Sequence, residues 1–136
     1  MFTQPWADLF LSEINASGEY RTHGAHWDTP IALEMSFTTG GAVRAVVLDL
    51  HRGNCRSAAC RVPLTADNVG LVIRASVAGW KRILAGRMDP VWGIMSGQLQ
   101  LVRGNLTDLI PYARAAKALV DSAARIDATF PPPEGP

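Results

Sequence analysis

The sequence predicts an α/β domain of the α+β type, in which a five-stranded, largely antiparallel sheet carries helices on one face. Three strand-like segments follow one another across short glycine-containing turns, which is typical of antiparallel strands joined in series. Amphipathic helical patterns stand at both ends of the chain and in its middle. The 136 residues contain no internal repeat and have the length of a single domain.

The first half of the chain predicts one helix and three strands. Pro5 suits the first turn of a helix that ends near residues 15–18. Its apolar face consists of Trp6, Leu9, Phe10 and Ile14. Alternation at 31–37 predicts a half-buried strand, and residues 43–51 predict a second, with Val46, Leu48 and Leu50 on one face. After the tight turn at Gly53-Asn54, residues 55–62 return as a predicted third strand. Short turns favour antiparallel pairing of these strands.

Residues 69–75 fit a helix and a strand equally well by the spacing of their apolar side chains. Their content of valine and isoleucine favours the strand. Ser76 is a good N-cap residue, and a helix at 77–85 would begin directly after it. We therefore predict a fourth strand followed by a helix.

The region between residues 80 and 105 predicts a broken pair of helices and a fifth strand. Gly86 suits the end of the first helix, and Asp89 suits the cap of a short second helix at 90–95. Alternation at 99–103 predicts the fifth strand. Two short helices cover a sheet less closely than one long helix, which leaves room for a cavity.

The last helix is predicted to start at Thr107 or Asp108, with Pro111 in its first turn. Its inner face consists of Tyr112, Ala116, Leu119, Val120 and Ala123. The folded domain is expected to cover residues 1–126. Residues 127–136 contain three consecutive prolines and little that can pack, so we expect a disordered tail.

One ordered pattern resembles the type-2 sterol carrier protein family. It consists of Trp80, Leu84-Ala85-Gly86, Asp89-Pro90, Met95-Ser96-Gly97 and Gly104-Asn105. A second match, similar to the N-terminal part of bacterial members, consists of Asn15-Ala16-Ser17, Tyr20 and Trp27. The resemblance implies a small α/β domain whose sheet and helices enclose a tunnel for lipid. It implies no catalytic residues, and no cofactor is expected.

With that resemblance, large apolar side chains of the broken helix pair and the fifth strand become candidates to line a lipid-binding cavity. They are Trp80, Ile83, Leu84, Met88, Trp92, Ile94, Met95, Leu99 and Leu101. Methionine is flexible and suits pockets that accept varied apolar ligands. Without the resemblance, the same residues would be read as ordinary core. The expected partner is a sterol, a fatty acyl chain or a similar apolar molecule, which the protein would bind without catalysing a reaction on it.

Two other classes of function stay open. One is an accessory factor that presents a polyprenyl or quinone-like lipid to biosynthetic enzymes, a role implied by some bacterial relatives. The other is a metal-assisted hydrolase that uses His23, His26 and Asp28, since histidine and carboxylate are common metal ligands. Such a loop is common by chance, so no metal is predicted.

Cys55 and Cys60 lack the spacing of a zinc or redox site and, five residues apart on one strand, would face opposite sides of the sheet. Free thiols are typical of a reducing compartment. Arg52, Arg56 and Arg61 around the third strand indicate a charged edge strand, with lipid headgroups as the alternative partner.

Charge and hydropathy exclude several classes of partner. The net charge of +1 gives no case for a nucleic-acid-binding protein. No apolar run reaches the ~20 residues that span a bilayer. The first residues lack the pattern of a signal peptide, so a cytoplasmic protein with at most transient membrane contact is expected. The oligomeric state is left open.

Overall fold

The computed structural model describes residues 2–36, 43–61, 69–86 and 88–127. Among these, the strands are β1 Ile31–Ser36, β2 Val43–His51, β3 Asn54–Arg61, β4 Leu71–Ser76 and β5 Gln100–Arg103. The helices are α1 Gln4–Ala16, α2 Gly18–His23, α3 Val77–Ala85, α4 Pro90–Met95, α5 Leu106–Leu109 and α6 Ala113–Asp127, with a 3₁₀ turn at Ile110–Tyr112.

The five strands form one sheet in the order β3-β2-β1-β4-β5. Neighbouring strands are antiparallel except for β1 and β4, which run parallel at the centre of the sheet. The predicted α+β fold with a largely antiparallel sheet is therefore confirmed. The ambiguous segment is a strand followed by a helix, as predicted. β3 is an edge strand, and Arg56 on it pairs with Asp49 at 3.2 Å.

The turn between β2 and β3 is a two-residue hairpin turn. His51 pairs with Asn54, and the φ angles of Arg52 and Gly53 between them are +50° and +88°. Two positive φ values match the right-handed twist of a hairpin. A Cβ atom on Gly53 would lie 2.8 Å from the carbonyl oxygen of Arg21, so glycine is required here for space as well as for conformation.

The two cysteines lie on the same face of β3. Cys55 pairs with Leu50 and Cys60 with Val46, and both of these partners are buried on the inner face of the sheet. The prediction that the cysteines face opposite sides is wrong, because a register shift between β2 and β3 adds one residue to β3. The thiol of Cys60 donates to the carbonyl oxygen of Phe2 at 3.1 Å.

The predicted break between the middle helices is confirmed. The Oγ atom of Ser76 accepts a hydrogen bond from the Gly79 amide at 3.0 Å and caps α3. The Oδ1 atom of Asp89 accepts one from the Val91 amide at 2.8 Å and caps α4. Each cap satisfies an amide that has no partner within its own helix, so the second helix starts at a defined residue and takes its own direction.

Two helical features differ from the prediction. The long C-terminal helix α6 begins at Ala113, after the separate short helix α5 and the 3₁₀ turn that contains Pro111. A proline inside a helix removes a hydrogen bond and clashes with the preceding turn, which explains the interruption. The segment predicted as a loop after α1 contains α2, whose cap is the Oγ atom of Ser17, 3.0 Å from the amide of Tyr20.

The main core lies between one face of the sheet and helices α1, α3 and α6. We call this face the inner face; Leu33, Val46 and Ile73 lie on it. Leu9 was predicted to face inward from α1, but 46% of it is exposed, whereas Trp6 is buried. The stripe of α1 that packs inward is thus narrower than the sequence pattern indicated.

On the opposite face, the carboxylate of Glu34 is buried and pairs with Arg74, with 2.7 Å between Oε1 and Nε. The backbone oxygen of Glu34 also accepts a hydrogen bond from the indole nitrogen of Trp80 at 2.7 Å. This bond fixes α3 against the centre of the sheet. Across the described ranges, no helix is long and apolar enough to cross a membrane. Residues 128–136, most of the predicted tail, lie outside those ranges.

Candidate functional site

An apolar cavity lies between the inner face of the sheet and the helices that cover it. Its volume is about 40 Å³. A single water needs ~10–15 Å³ on this measure, so the cavity has room for about three water-sized groups. Its described walls are Phe2, Trp6, Phe10, Ile31, Leu33, Ile73, Trp80, Leu84, Pro90, Leu99, Leu109, Ala116, Leu119, Val120 and Ala123. No charged side chain is among them.

A smaller chamber of about 10 Å³ adjoins the cavity. The two share four wall residues, Ile31, Leu109, Ala116 and Leu119. We call this space the second chamber; its other walls include Tyr20, Trp27 and Tyr112. The rings of Trp27 and Tyr112 meet edge to face with 4.7 Å between their centroids. The second chamber therefore lies beside the cavity, and this aromatic pair and Tyr20 of α2 form part of its wall.

Helix α4 sits close to the cavity because of Gly93. A Cβ atom there would lie 3.0 Å from Cδ1 of Leu99 and 3.2 Å from Cδ1 of Ile83. The backbone of α4 can thus rest directly on these two side chains, and Leu99 in turn forms part of the cavity wall. Any side chain at position 93 would push Leu99 toward the cavity or lift α4 away.

The nine candidate residues occupy three kinds of position. Trp80, Leu84 and Leu99 line the cavity. Ile83 is fully buried behind the wall, and three partly buried residues pack against the core, namely Met88, Ile94 and Leu101. Trp92 and Met95 lie on the outer side of α4 with 57% and 64% of their surface exposed. The structure thus brings together only part of the predicted set, and a ligand contact for each remains a prediction.

Most of the cavity wall lies outside the set predicted from the sequence motifs. The missing parts come from α1, through Trp6 and Phe10, and from α6, through Ala116 and Leu119. Both helices had been assigned an apolar inner face, which is the signal that could have found these residues. Helical periodicity shows that a side chain points inward, but it does not distinguish a cavity wall from close-packed core.

The buried titratable side chains Tyr20 and Cys55 lie in or near this apolar region. Burial raises the pKa of the Cys55 thiol to about 11 and raises that of the Tyr20 hydroxyl well above its usual range. Both groups therefore stay protonated and uncharged at neutral pH. The Tyr20 hydroxyl is buried and has no hydrogen-bond partner among the described residues. The described wall residues of both spaces are uncharged and almost entirely apolar.

The residues considered for a metal site are not gathered together. His23 ends α2, and the backbone oxygen of His26 accepts a hydrogen bond from the Tyr112 hydroxyl at 3.4 Å. Asp28 pairs instead with His51, whose hydrogen bond holds the pKa of the Asp28 carboxyl below its usual range. In the part of the chain that the structure describes, no group of three or more His, Cys, Asp or Glu side chains could hold a metal ion.

Comparison with solved structures places this fold among known proteins. The chain is similar to a structure described as sterol carrier protein 2, with 36% identity and a TM-score of 0.83 over 91% of this chain and 97% of the other. It is also similar to a conserved hypothetical protein, possibly sterol carrier protein, from Thermus thermophilus, with 34% identity and a TM-score of 0.83 over 93% of this chain and 89% of the other.

A more distant structure, the UbiJ-SCP2 ubiquinone synthesis protein, shares the fold alone, with 14% identity and a TM-score of 0.53 over 86% of this chain and 89% of the other. No protein-family model and no curated protein sequence matches the chain. The first similarity, above one-third identity over nearly the whole of both chains, decides the assignment. The chain belongs to the sterol carrier protein 2 family.

Proposed function

We propose that the protein is a non-catalytic lipid carrier, which holds a sterol, a fatty acyl chain or a similar apolar molecule between the inner face of the sheet and helices α1, α3 and α6. The observation that carries the proposal is the cavity walled by apolar side chains from all of these elements. Membership of the sterol carrier protein 2 family supports the same function.

The binding energy would come from burial of apolar surface. Each methylene group moved from water into the cavity contributes ~0.8 kcal/mol, so a chain of about ten methylenes gains roughly 8 kcal/mol before any opposing terms. A cavity of about 40 Å³ holds only a small part of such a chain. The wall must therefore move apart as the ligand enters, and the free energy of that opening subtracts from the affinity.

The short helix α4 is the element best placed to move. It has six residues, and its contact with the core depends on Gly93 resting on Leu99 and Ile83. Displacement of α4 would widen the space beside Trp80, Leu84 and Leu99. Met88, Ile94 and Leu101, which flank this region, would then meet the ligand.

The exposed pair Trp92 and Met95 would meet an apolar molecule on its way to the cavity, because both lie on the outer side of α4. A carrier that exchanges its ligand needs at most transient contact with a membrane. The two cysteines are free, which fits a protein of the cytoplasm.

Native mass spectrometry of the purified protein, before and after delipidation, tests the proposal. We expect the protein to carry an apolar adduct that delipidation removes and that reloading with a long-chain lipid restores. A quinone or polyprenyl adduct would favour the accessory role in biosynthesis. A stoichiometric metal without a lipid, and no reloading, would contradict the carrier function and favour the hydrolase.

A further inference from the structure

The hydroxyl group of Tyr20 is a polar atom placed in apolar surroundings. The side chain is 1% exposed, lines the second chamber, and has no hydrogen-bond partner for its hydroxyl among the described residues. Buried polar groups in native proteins nearly always have a partner, because removing them from water without one is unfavourable. Because Tyr20 lines the second chamber, its unpaired hydroxyl is a candidate contact for a ligand that enters and widens this chamber.

The position of the Tyr20 ring is fixed by its neighbours. Its backbone amide donates to the Oγ atom of Ser17 at 3.0 Å, and its carbonyl oxygen accepts from the amide of Gly24 at 2.7 Å. A Cβ atom on Gly24 would lie 2.8 Å from Cζ of the ring, so the ring packs directly on the backbone there. These contacts hold the hydroxyl in place before any ligand arrives.

The other polar groups around the second chamber are already engaged. The indole nitrogen of Trp27 donates to the carbonyl oxygen of Thr29 at 2.7 Å. The hydroxyl of Tyr112 donates to the carbonyl oxygen of His26 at 3.4 Å. Among the described side chains that line the second chamber, Tyr20 thus provides the available donor.

We propose that the Tyr20 hydroxyl donates a hydrogen bond to a neutral oxygen atom at one end of the ligand, an alcohol or a carbonyl, while the apolar remainder fills the main cavity. The proposal rests on the carrier function and adds a polar requirement to it. The second chamber, at about 10 Å³, has room for about one water-sized group beside Tyr20. The two spaces share wall residues and so lie side by side, and a ligand that displaces the shared side chains would reach both.

A neutral oxygen fits better than an ionised carboxylate. The described walls of both spaces contain no cationic side chain. A buried carboxylate would meet a single neutral donor there, and burial of an unpaired charge is strongly unfavourable. Because burial keeps Tyr20 protonated, its hydroxyl donates a hydrogen bond across the neutral pH range. Long-chain alcohols, esters and ketones are therefore expected to bind better than the corresponding free fatty acids.

The test compares wild-type protein with Tyr20→Phe, and uses Tyr112→Phe as the matched control. Tyr112 lines the same chamber, but its hydroxyl already has a protein partner. The probes are 1-hexadecanol, hexadecane and hexadecanoic acid, each measured by displacement of a fluorescent apolar dye.

Tyr20→Phe should weaken binding of the alcohol by about fivefold, the equivalent of one neutral hydrogen bond, and leave binding of hexadecane unchanged. Tyr112→Phe should change the preference for alcohol over hydrocarbon by less than about twofold. The wild-type protein should bind the alcohol more tightly than the ionised acid.

Equal affinity of wild-type and Tyr20→Phe proteins for the alcohol, with hexadecane bound by both, would overturn this proposal and leave the carrier function standing. A wild-type protein that binds none of the probes would refute the carrier function itself. A thermal melt provides a further check. Without ligand, Tyr20→Phe should melt at or above the wild-type temperature, because an unpaired buried hydroxyl is removed; a clear decrease would show that the hydroxyl is already bonded and would also overturn the proposal.

Discussion

Filling the cavity from helix α6 should weaken lipid binding in proportion to the volume lost. Ala116 lies on the inner side of this helix, is 8% exposed, and lines both the main cavity and the second chamber. The substitution Ala116→Leu adds three carbon atoms at this point. Ala124→Leu adds the same atoms on the same helix at a partly buried position that is not among the cavity walls, so it is the matched control.

The expected magnitude follows from the volumes. The cavity of about 40 Å³ has room for about three water-sized groups, which the added carbons would occupy. Each ligand methylene kept out of the cavity loses ~0.8 kcal/mol, so three of them lose about 2.4 kcal/mol, or a factor of about fifty in the dissociation constant. Ala124→Leu should change the dissociation constant by less than about threefold.

The two variants should be compared by displacement of a fluorescent apolar probe and by urea unfolding. Because the added side chain enters existing space, Ala116→Leu should lower the free energy of unfolding by less than about 1 kcal/mol, whereas overpacking of a filled core typically lowers it by ~1–3 kcal/mol. A stable Ala116→Leu variant with wild-type affinity would refute the reasoning, since the ligand would then bind elsewhere. If instead Ala116→Leu, but not Ala124→Leu, loses ~1–3 kcal/mol of unfolding free energy and the wild type binds no ligand, this region is ordinary close-packed core.

Three further predictions concern the remainder of the fold. Arg74→Ala leaves the buried Glu34 carboxylate without its partner and should lower the free energy of unfolding, measured in urea, by about 3 kcal/mol. This is a low value for a broken buried pair, because 35% of the Arg74 side chain is exposed. The added change Glu34→Gln should recover part of the loss, and a single variant as stable as wild type would contradict the prediction. Burial raises the pKa of Cys55 from 9.0 to about 11, so as the pH rises the unfolded chain releases the thiol proton first, and the free energy of unfolding should fall between those pH values. Measured by urea unfolding at several pH values, this fall should be smaller for Cys55→Ala than for wild type. An equal fall in both proteins would show that the thiol does not contribute. With a net charge of +1, sedimentation with anionic vesicles should be weak and only mildly dependent on salt; tight binding abolished by moderate salt would contradict that expectation.

Local patterns in the sequence predicted most of the elements. Alternation identified β1, β2 and β5, the turn after β2 indicated β3, and valine and isoleucine content favoured β4. The caps at Ser76 and Asp89 identified where α3 and α4 begin, because a cap depends on residues within one turn. The parallel contact between β1 and β4 is different. It joins strands separated by a long stretch of chain, so no local pattern predicts their pairing.

The errors also have physical causes. The extra residue that brings Cys55 and Cys60 to one face of β3 arises from the pairing with β2, and the sequence of β3 alone does not reveal it. Pro111 fits the first turn of a helix by its own properties, yet the chain forms a 3₁₀ turn there and starts α6 afterwards. The first error depends on pairing with another strand, whereas the second follows from the missing amide hydrogen and the bulk of the proline ring.

The candidate site was predictable only in part. Trp80, Leu84 and Leu99 were proposed from the motif region and do line the cavity. The contributions of α1 and α6 could be predicted as inward-facing side chains, but the space between them exists only after the helices have packed on the sheet. Tyr20 was part of the second family match, but nothing in the sequence indicated an unpaired hydroxyl, because the lack of a partner is a property of the folded surroundings.

The central claim is that an apolar molecule occupies the cavity between sheet and helices, and methyl NMR tests it most directly. The protein, with its leucine methyl groups labelled, is mixed with 1-hexadecanol, and intermolecular NOEs from the ligand chain are recorded. We predict NOEs to the methyl groups of Leu84 on α3, Leu99 just before β5 and Leu119 on α6, all of which line the cavity. NOEs confined to the exposed residue Leu9 would contradict the claim. So would a protein that binds no alcohol and therefore shows no intermolecular NOE.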